Sequence, residues 1–268
     1  MSILPALDRQ LLIRKASEDA RQYVYRVIKT CILELLLPPN RKLNEATMAE
    51  TLQVSRTPVH DTFFKLSREN LVDIYPKRGA YVAKISPCHL EQAVWTHTQL
   101  GCSMLNTIFS KAIDGSRLSF NASKSDEVTY RQAMNHSQLL PLRHLLRQMD
   151  DALFEKKPAS VAHMITEYYH QLYLLAGDTD LIWDSLQKID VDMRRILYLA
   201  SKNPVIIKGF HYELAELTDA LAEKKSDLAY RILENHFSRL LLLAEPLKEQ
   251  KPDYFIQASG KYYMEHST

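Results

Sequence analysis

Strand-like alternation occurs at one place in this chain. The runs LVDIY (71–75) and AYVAKI (80–85) alternate around Pro76-Lys77-Arg78-Gly79, the pattern of a β-hairpin. From about residue 86 to about 248 the apolar positions recur with helical spacing, and no second strand pattern interrupts them. Six glycines in 268 residues, with Ala, Leu, Glu, Lys, Arg and Gln plentiful, favour helices over a sandwich or a doubly wound sheet, whose turns need glycine. The fold class is therefore mainly α, with its only sheet in the N-terminal third.

Three helices are expected ahead of the hairpin. Residues from about 12 to 37 keep an apolar helical rhythm through Val24, Val27, Ile28, Cys31, Ile32 and Leu35. Pro38-Pro39 closes it, because neither proline donates a helical hydrogen bond. A second helix follows over LNEATMAETLQV, with Asn44 suited to the N-cap and Met48, Ala49 and Leu52 facing inward. The third starts at SRTP: Thr57 suits a cap and Pro58 the first turn, and Val59, Phe63 and Leu66 make a buried stripe. Helix, helix, helix, hairpin is the order of a winged helix-turn-helix. Residues 12–85 are assigned to this DNA-binding domain, 86–248 to an all-helical domain and 249–268 to a C-terminal tail. In the helical region the polar stretch 114–127 reads as a loop and KNPV (202–205) as a break.

Charge separates the two regions. Through residue 85 there are 14 Lys and Arg against 9 Asp and Glu, a net of +5; the remaining 183 residues carry 20 against 23, a net of −3. A basic head on a mildly acidic body suits a module that meets a polyanion, joined to one that does not. No apolar run is long enough to cross a bilayer, and Asp8 and Arg9 interrupt the start where a signal peptide would be apolar, so no membrane partner and a cytoplasmic location are expected. The three cysteines, Cys31, Cys88 and Cys102, are odd in number and widely spaced, which suits buried thiols in a reducing compartment.

With Val59, Phe63 and Leu66 inward, Arg56 and His60 share the opposite face of the third helix. The major groove admits one helix, whose N-terminal turn reaches base edges. Arg56 suits a bidentate pair with guanine, and Ser55 and Thr57 suit phosphate contacts near the helix N-terminus. Lys77, Arg78 and Gly79 form a wing tip with two cations and a glycine for the turn. The residues expected on DNA are Arg41, Ser55, Arg56, Thr57, His60, Lys77, Arg78 and Gly79.

LPPNRKLNEATMAETLQVSRTPVHDTFFKLSRENLVDIYPKRGAYV resembles the DNA-binding domain of the GntR family of bacterial transcription regulators. The resemblance implies that Arg56 and the residue four further on read the operator. That second residue is His60 where arginine is usual, Phe64 stands where a basic residue is common, and Asn70 replaces the usual glycine.

The helical region resembles the FadR-like subfamily, whose ligand domain (the FCD type) is an antiparallel bundle of six or seven helices that dimerises and encloses an effector. YYHQLYLLAGD (168–178) and DALAEKKSDLAYRILENHF (219–237) carry this resemblance. It implies that a small-molecule effector meets His97, Tyr169, His170, Tyr173, Arg194 and His236, and that His170 and His236 fall on two metal positions. The aspartate of that metal set falls on Thr166, its other histidine on Leu214, and the effector-binding arginine on His97. No cofactor is required; a loosely held divalent metal is all this donor set suits.

The reading is a dimeric, ligand-responsive regulator of a double-stranded, pseudo-palindromic operator, and not an enzyme. A constitutive DNA-binding protein whose bundle only dimerises is the alternative. A helical metal-dependent hydrolase built on His163, Glu167 and His170 would lack an Asp-rich motif and leave the winged helix without a role.

Overall fold

The computed structural model describes residues 11–114 and 137–257, which form two compact units. One comprises the described residues up to Cys88 together with those from Glu245 onward; the other comprises the described residues between His89 and Ala244.

In the first unit, α1 (Ala20–Leu33) opens on a capping box: Asp19 accepts from the Gln22 amide at 2.8 Å and the Asp19 amide donates to the Gln22 side chain at 2.9 Å. The helix is shorter than the apolar rhythm predicts. It ends at Leu33, before Pro38, because Leu35 turns left-handed (φ +53°) and the Leu37 amide closes onto the Cys31 carbonyl, burying Leu37 under the core. A two-residue strand β1 (Lys42–Leu43) leads into α2 (Glu45–Leu52), whose cap Asn44 accepts from the Thr47 amide at 3.1 Å. Met48, Ala49 and Leu52 are buried, as their spacing predicts.

After the left-handed Gln53 comes α3 (Arg56–Ser67), which packs on α1 and α2. Its N-cap is Ser55, and Thr57 lies within the first turn beside Pro58. The predicted stripe of Val59, Phe63 and Leu66 is buried. Asn70 takes the left-handed conformation (φ +56°) that a glycine would otherwise supply, and the chain enters β2 (Val72–Tyr75) and then β3 (Gly79–Val82). The sheet is antiparallel in the order β1-β3-β2, with Leu43 opposite Ala80 and Val72 opposite Val82. The strand β1 escapes prediction because two residues are too few to show an alternation.

Residues expected to be a separate tail join this first unit. After a short 3-10 turn at Pro252–Tyr254, Phe255 is buried and bridges to Ile85 in parallel: the Ile85 amide donates to the Tyr254 carbonyl at 2.8 Å and the Ile256 amide to the Ile85 carbonyl at 2.9 Å.

The second unit is built from all but the first two residues of α4 (Pro87–Asp114), α5 (Leu140–Phe154), α6 (Pro158–Ala176), α7 (Asp180–Ile189), α8 (Val191–Ala200), α9 (Pro204–Ala222) and α10 (Ser226–Gln250) up to Ala244. Seven helices among the described residues, and no strand, agree with the predicted bundle. Four of these helices carry proline in the first turn, where the missing N–H costs nothing. Asn203 caps α9 and accounts for the break read at KNPV. The helix α6 packs against α5, α7, α8 and α9, burying Ile165, Tyr168, Tyr169, Leu172 and Tyr173. Gly101 lets α4 meet α10 closely, since a Cβ there would lie 2.7 Å from Leu233 Cδ2. The loop read at 114–127 lies, past Asp114, outside the described residues.

No disulfide involves the three cysteines. Cys31 is buried, and burial pushes its thiol up to about 12. Cys88 is exposed and Cys102 half-buried, so the expectation of buried thiols holds only for Cys31.

Candidate functional site

The first candidate surface is the N-terminal half of α3 with the hairpin tip. Burial of Val59, Phe63 and Leu66 leaves Arg56, Thr57 and His60 exposed, and Ser55 is exposed just ahead of them. The Ser55 hydroxyl makes no cap bond, so the amides of the first turn and the hydroxyl both face outward, an arrangement that suits phosphate. His60 is held more tightly than its position suggests. Its Nδ1 donates to Glu45 Oε1 of α2 at 2.9 Å, and its ring meets the edge of Phe64 at 4.8 Å between centroids. Glu45 is a partner that reading α3 alone misses; it stands at the start of α2 and reaches across the turn.

At the wing, the Tyr75 carbonyl accepts from the Arg78 amide at 3.1 Å across Pro76-Lys77. Lys77 takes φ +62° and Gly79 φ +101°, so two residues of this tip adopt positive φ, as type II geometry requires of the first. Lys77, Arg78 and Gly79 are exposed, while Arg41 is half-buried next to β1. The end of α3 is tied to the middle of α1 by Glu69, which is buried and accepts from Lys29 Nζ at 2.7 Å and Tyr25 Oη at 2.7 Å. That pairing fixes the helix whose surface faces out.

The second candidate is a buried polar cluster in the helical unit. His236 on α10 is fully buried, with both ring nitrogens engaged: Nδ1 donates to Glu213 Oε2 at 2.9 Å and Nε2 accepts from Tyr169 Oη at 2.7 Å. Glu213 is held in turn by Arg239 at 2.7 Å. Burial lowers the His236 pKa, with the Glu213 contact opposing it, and burial raises the Tyr169 pKa well above its ordinary value. His97 on α4 is fully buried, with Nδ1 bonded to Tyr173 Oη at 2.9 Å and Nε2 3.8 Å from Asp190 Oδ2, beyond hydrogen-bond reach. Desolvation pushes its pKa down to about 3, so the imidazole is neutral. The rings of His97, Tyr169 and Phe237 pack together and join the two pairs into one cluster.

Of the residues expected to meet an effector, His97, Tyr169, Tyr173 and His236 come together here. His170 does not join them: it stacks on Trp183 at 4.7 Å, 3.7 Å from Glu167 and 3.9 Å from Asp180. Arg194 is half-buried, and the buried arginine is its neighbour Arg195, paired with Asp192. Nothing in the sequence marks Glu213 or Asp190, because a single carboxylate on or beside an amphipathic helix carries no sign of which way it points.

The donor set does not suit a transition metal. His236 has no ring nitrogen to spare, Leu214 is apolar, and the Thr166 hydroxyl is turned to the Ala162 carbonyl. Among the described residues no group of three or more His, Cys, Asp or Glu gathers around one point.

The first constellation, and all of the second except His97 on α4, lie in segments that match two family descriptions. Residues 20–82 match "Bacterial regulatory proteins, gntR family" and residues 130–239 match "FCD domain". The chain is a GntR-family regulator with an FCD domain. The HTH-type transcriptional repressor RspR of Escherichia coli (strain K12) is 22% identical over 240 residues, covering 89% of this chain and 95% of that one. Among solved structures, E. coli McbR/YncC shares the fold at TM-score 0.67 and 15% identity, over 86% of this chain and 99% of that chain. A GntR transcriptional regulator from Rhodococcus sp. RHA1 does so at 0.63 and 17%, over 85% and 97%. GntR regulators are not enzymes, so the hydrolase alternative falls. This GntR regulator has a DNA-binding head and an effector-binding body, and no described helix is long and apolar enough to cross a membrane.

Proposed function

We propose that the protein binds a pseudo-palindromic operator as a homodimer, and that a small molecule in the helical unit releases or re-orients it. The observation that carries the DNA half is the division of α3: its apolar stripe is buried while Arg56 and His60 stand outward on its first turns. A two-fold dimer offers two such helices to half-sites about one helical turn apart. In support of a ligand site stands the cluster of His97, Tyr169, Tyr173 and His236, polar groups at the centre of a bundle that hydrophobic residues would pack more cheaply. The ligand works by binding one arrangement of the dimer more tightly than the other. Such a regulator acts in the cytoplasm. Arg41, Ser55, Thr57, Lys77 and Arg78 contribute mainly phosphate contacts, and Arg56 with His60 the base contacts.

The test is sedimentation of the full chain with a duplex enriched from a random pool. Two protomers per duplex support the reading, and one protomer per duplex contradicts the dimer. A metabolite panel then separates the responsive regulator from the constitutive one, since only the former is stabilised by a ligand.

A further inference from the structure

Phe64 lies outside the buried stripe of α3. That apolar stripe is complete in Val59, Phe63 and Leu66, whereas Phe64 is 48% exposed. It stands one turn beyond His60 and two beyond Arg56, so the three share one face of α3 at i, i+4 and i+8. The ring is also positioned. His60 meets it edge-on at 4.8 Å, and His60 is itself anchored through Nδ1 to Glu45 at 2.9 Å. An exposed aromatic ring, clamped by a polar pair on the face that carries Arg56, is fitted for contact with something outside the chain.

We propose that Phe64 reads a thymine methyl group in the major groove of the operator, with Glu45 acting as a positioning residue through His60. The inference rests on α3 being the helix that enters DNA. The occupant follows from the surroundings: Arg56 on the same face, and Lys77 and Arg78 at the wing, draw a polyanion to this surface. Within the major groove the apolar feature on offer is the C5-methyl of thymine, and apolar side chains recognise it. A basic residue at position 64 would add a phosphate or guanine contact; phenylalanine gives up that charge and gains discrimination of thymine from cytosine. Glu45 and His60 limit the ring's freedom before binding, which reduces the ordering cost of the contact.

The experiment uses the full chain and a duplex enriched from a random pool, with each thymine replaced in turn by deoxyuridine, which removes only the methyl. Wild-type protein should lose roughly four-fold in affinity per half-site at one symmetry-related thymine, the change that burying one methyl-sized group produces. Phe64→Ala should bind the thymine and deoxyuridine duplexes equally, and Phe64→Leu should keep part of the discrimination. Glu45→Ala should weaken the discrimination, and Glu45→Gln, which retains a hydrogen-bond acceptor for His60, should restore most of it. The proposal is overturned if wild type ignores every thymine replacement, or if Phe64→Ala remains as sensitive as wild type. Failure of wild type to enrich any duplex would instead sink the assignment of α3 as the DNA-reading helix.

Discussion

At the scale of single residues, Arg56 and His97 carry opposite demands. Arg56 is exposed and charged, as the proposed base contact requires, and Arg56→Ala should cost about 1–3 kcal/mol of specific binding. Non-specific binding, a sum of phosphate contacts, should suffer less; anisotropy on enriched and scrambled duplexes checks this, and equal losses would remove Arg56 from base reading. His97 is buried and neutral, with its pKa down to about 3. A histidine whose folded pKa lies below the unfolded value of about 6.5 contributes stability that is complete above that pH and lost as pH falls toward 3. Stability should therefore drop between pH 7 and 5, by about 2 kcal/mol from His97 at pH 5. Depressed His236 adds to the same slope. A His97→Gln variant should show a flatter dependence of melting temperature on pH, and an unchanged slope would assign the effect elsewhere. The metal positions lead to a further expectation: with His236 committed to Tyr169 and Glu213, dialysis against chelator should leave the melting temperature unchanged. A drop of several degrees would show a bound structural metal.

At the scale of elements, the parts of the first unit hold one another through buried polar ties as well as apolar stripes. Glu69 joins the end of α3 to Lys29 and Tyr25 of α1 in a place that solvent scarcely reaches. Removing the carboxylate leaves the Lys29 ammonium without its nearest counter-charge, so Glu69→Ala should cost about 2–3 kcal/mol of unfolding free energy in a urea titration. A loss below about 0.5 kcal/mol would mean that water replaces the carboxylate. The elements themselves were largely legible in the sequence. Asn44, Pro58 and the stripe of Val59, Phe63 and Leu66 mark α2 and α3 because capping and apolar periodicity are local properties. What stayed hidden depends on distant chain: β1 exists because β3 pairs with it, and Phe255 is core because Ile85 meets it. Within the helical unit, periodicity cannot choose between Arg194 and Arg195, which sit 100° apart on α8; packing turns Arg195 inward. The same limit hid Glu213 and Glu45, whose roles come from residues 23 and 15 positions away.

At the scale of the whole molecule, the proposed regulator reads a specific DNA sequence with the outer face of α3 and carries a buried polar cluster in its helical unit. The most direct measurement is selection from a random duplex pool with the full chain and with Arg56→Ala, followed by sequencing of both enriched pools. Wild type should enrich an inverted repeat, and Arg56→Ala should lose preference at one symmetry-related position in each half-site while keeping the spacing. Enrichment of no sequence by wild type, or of an identical motif by the variant, would contradict the account.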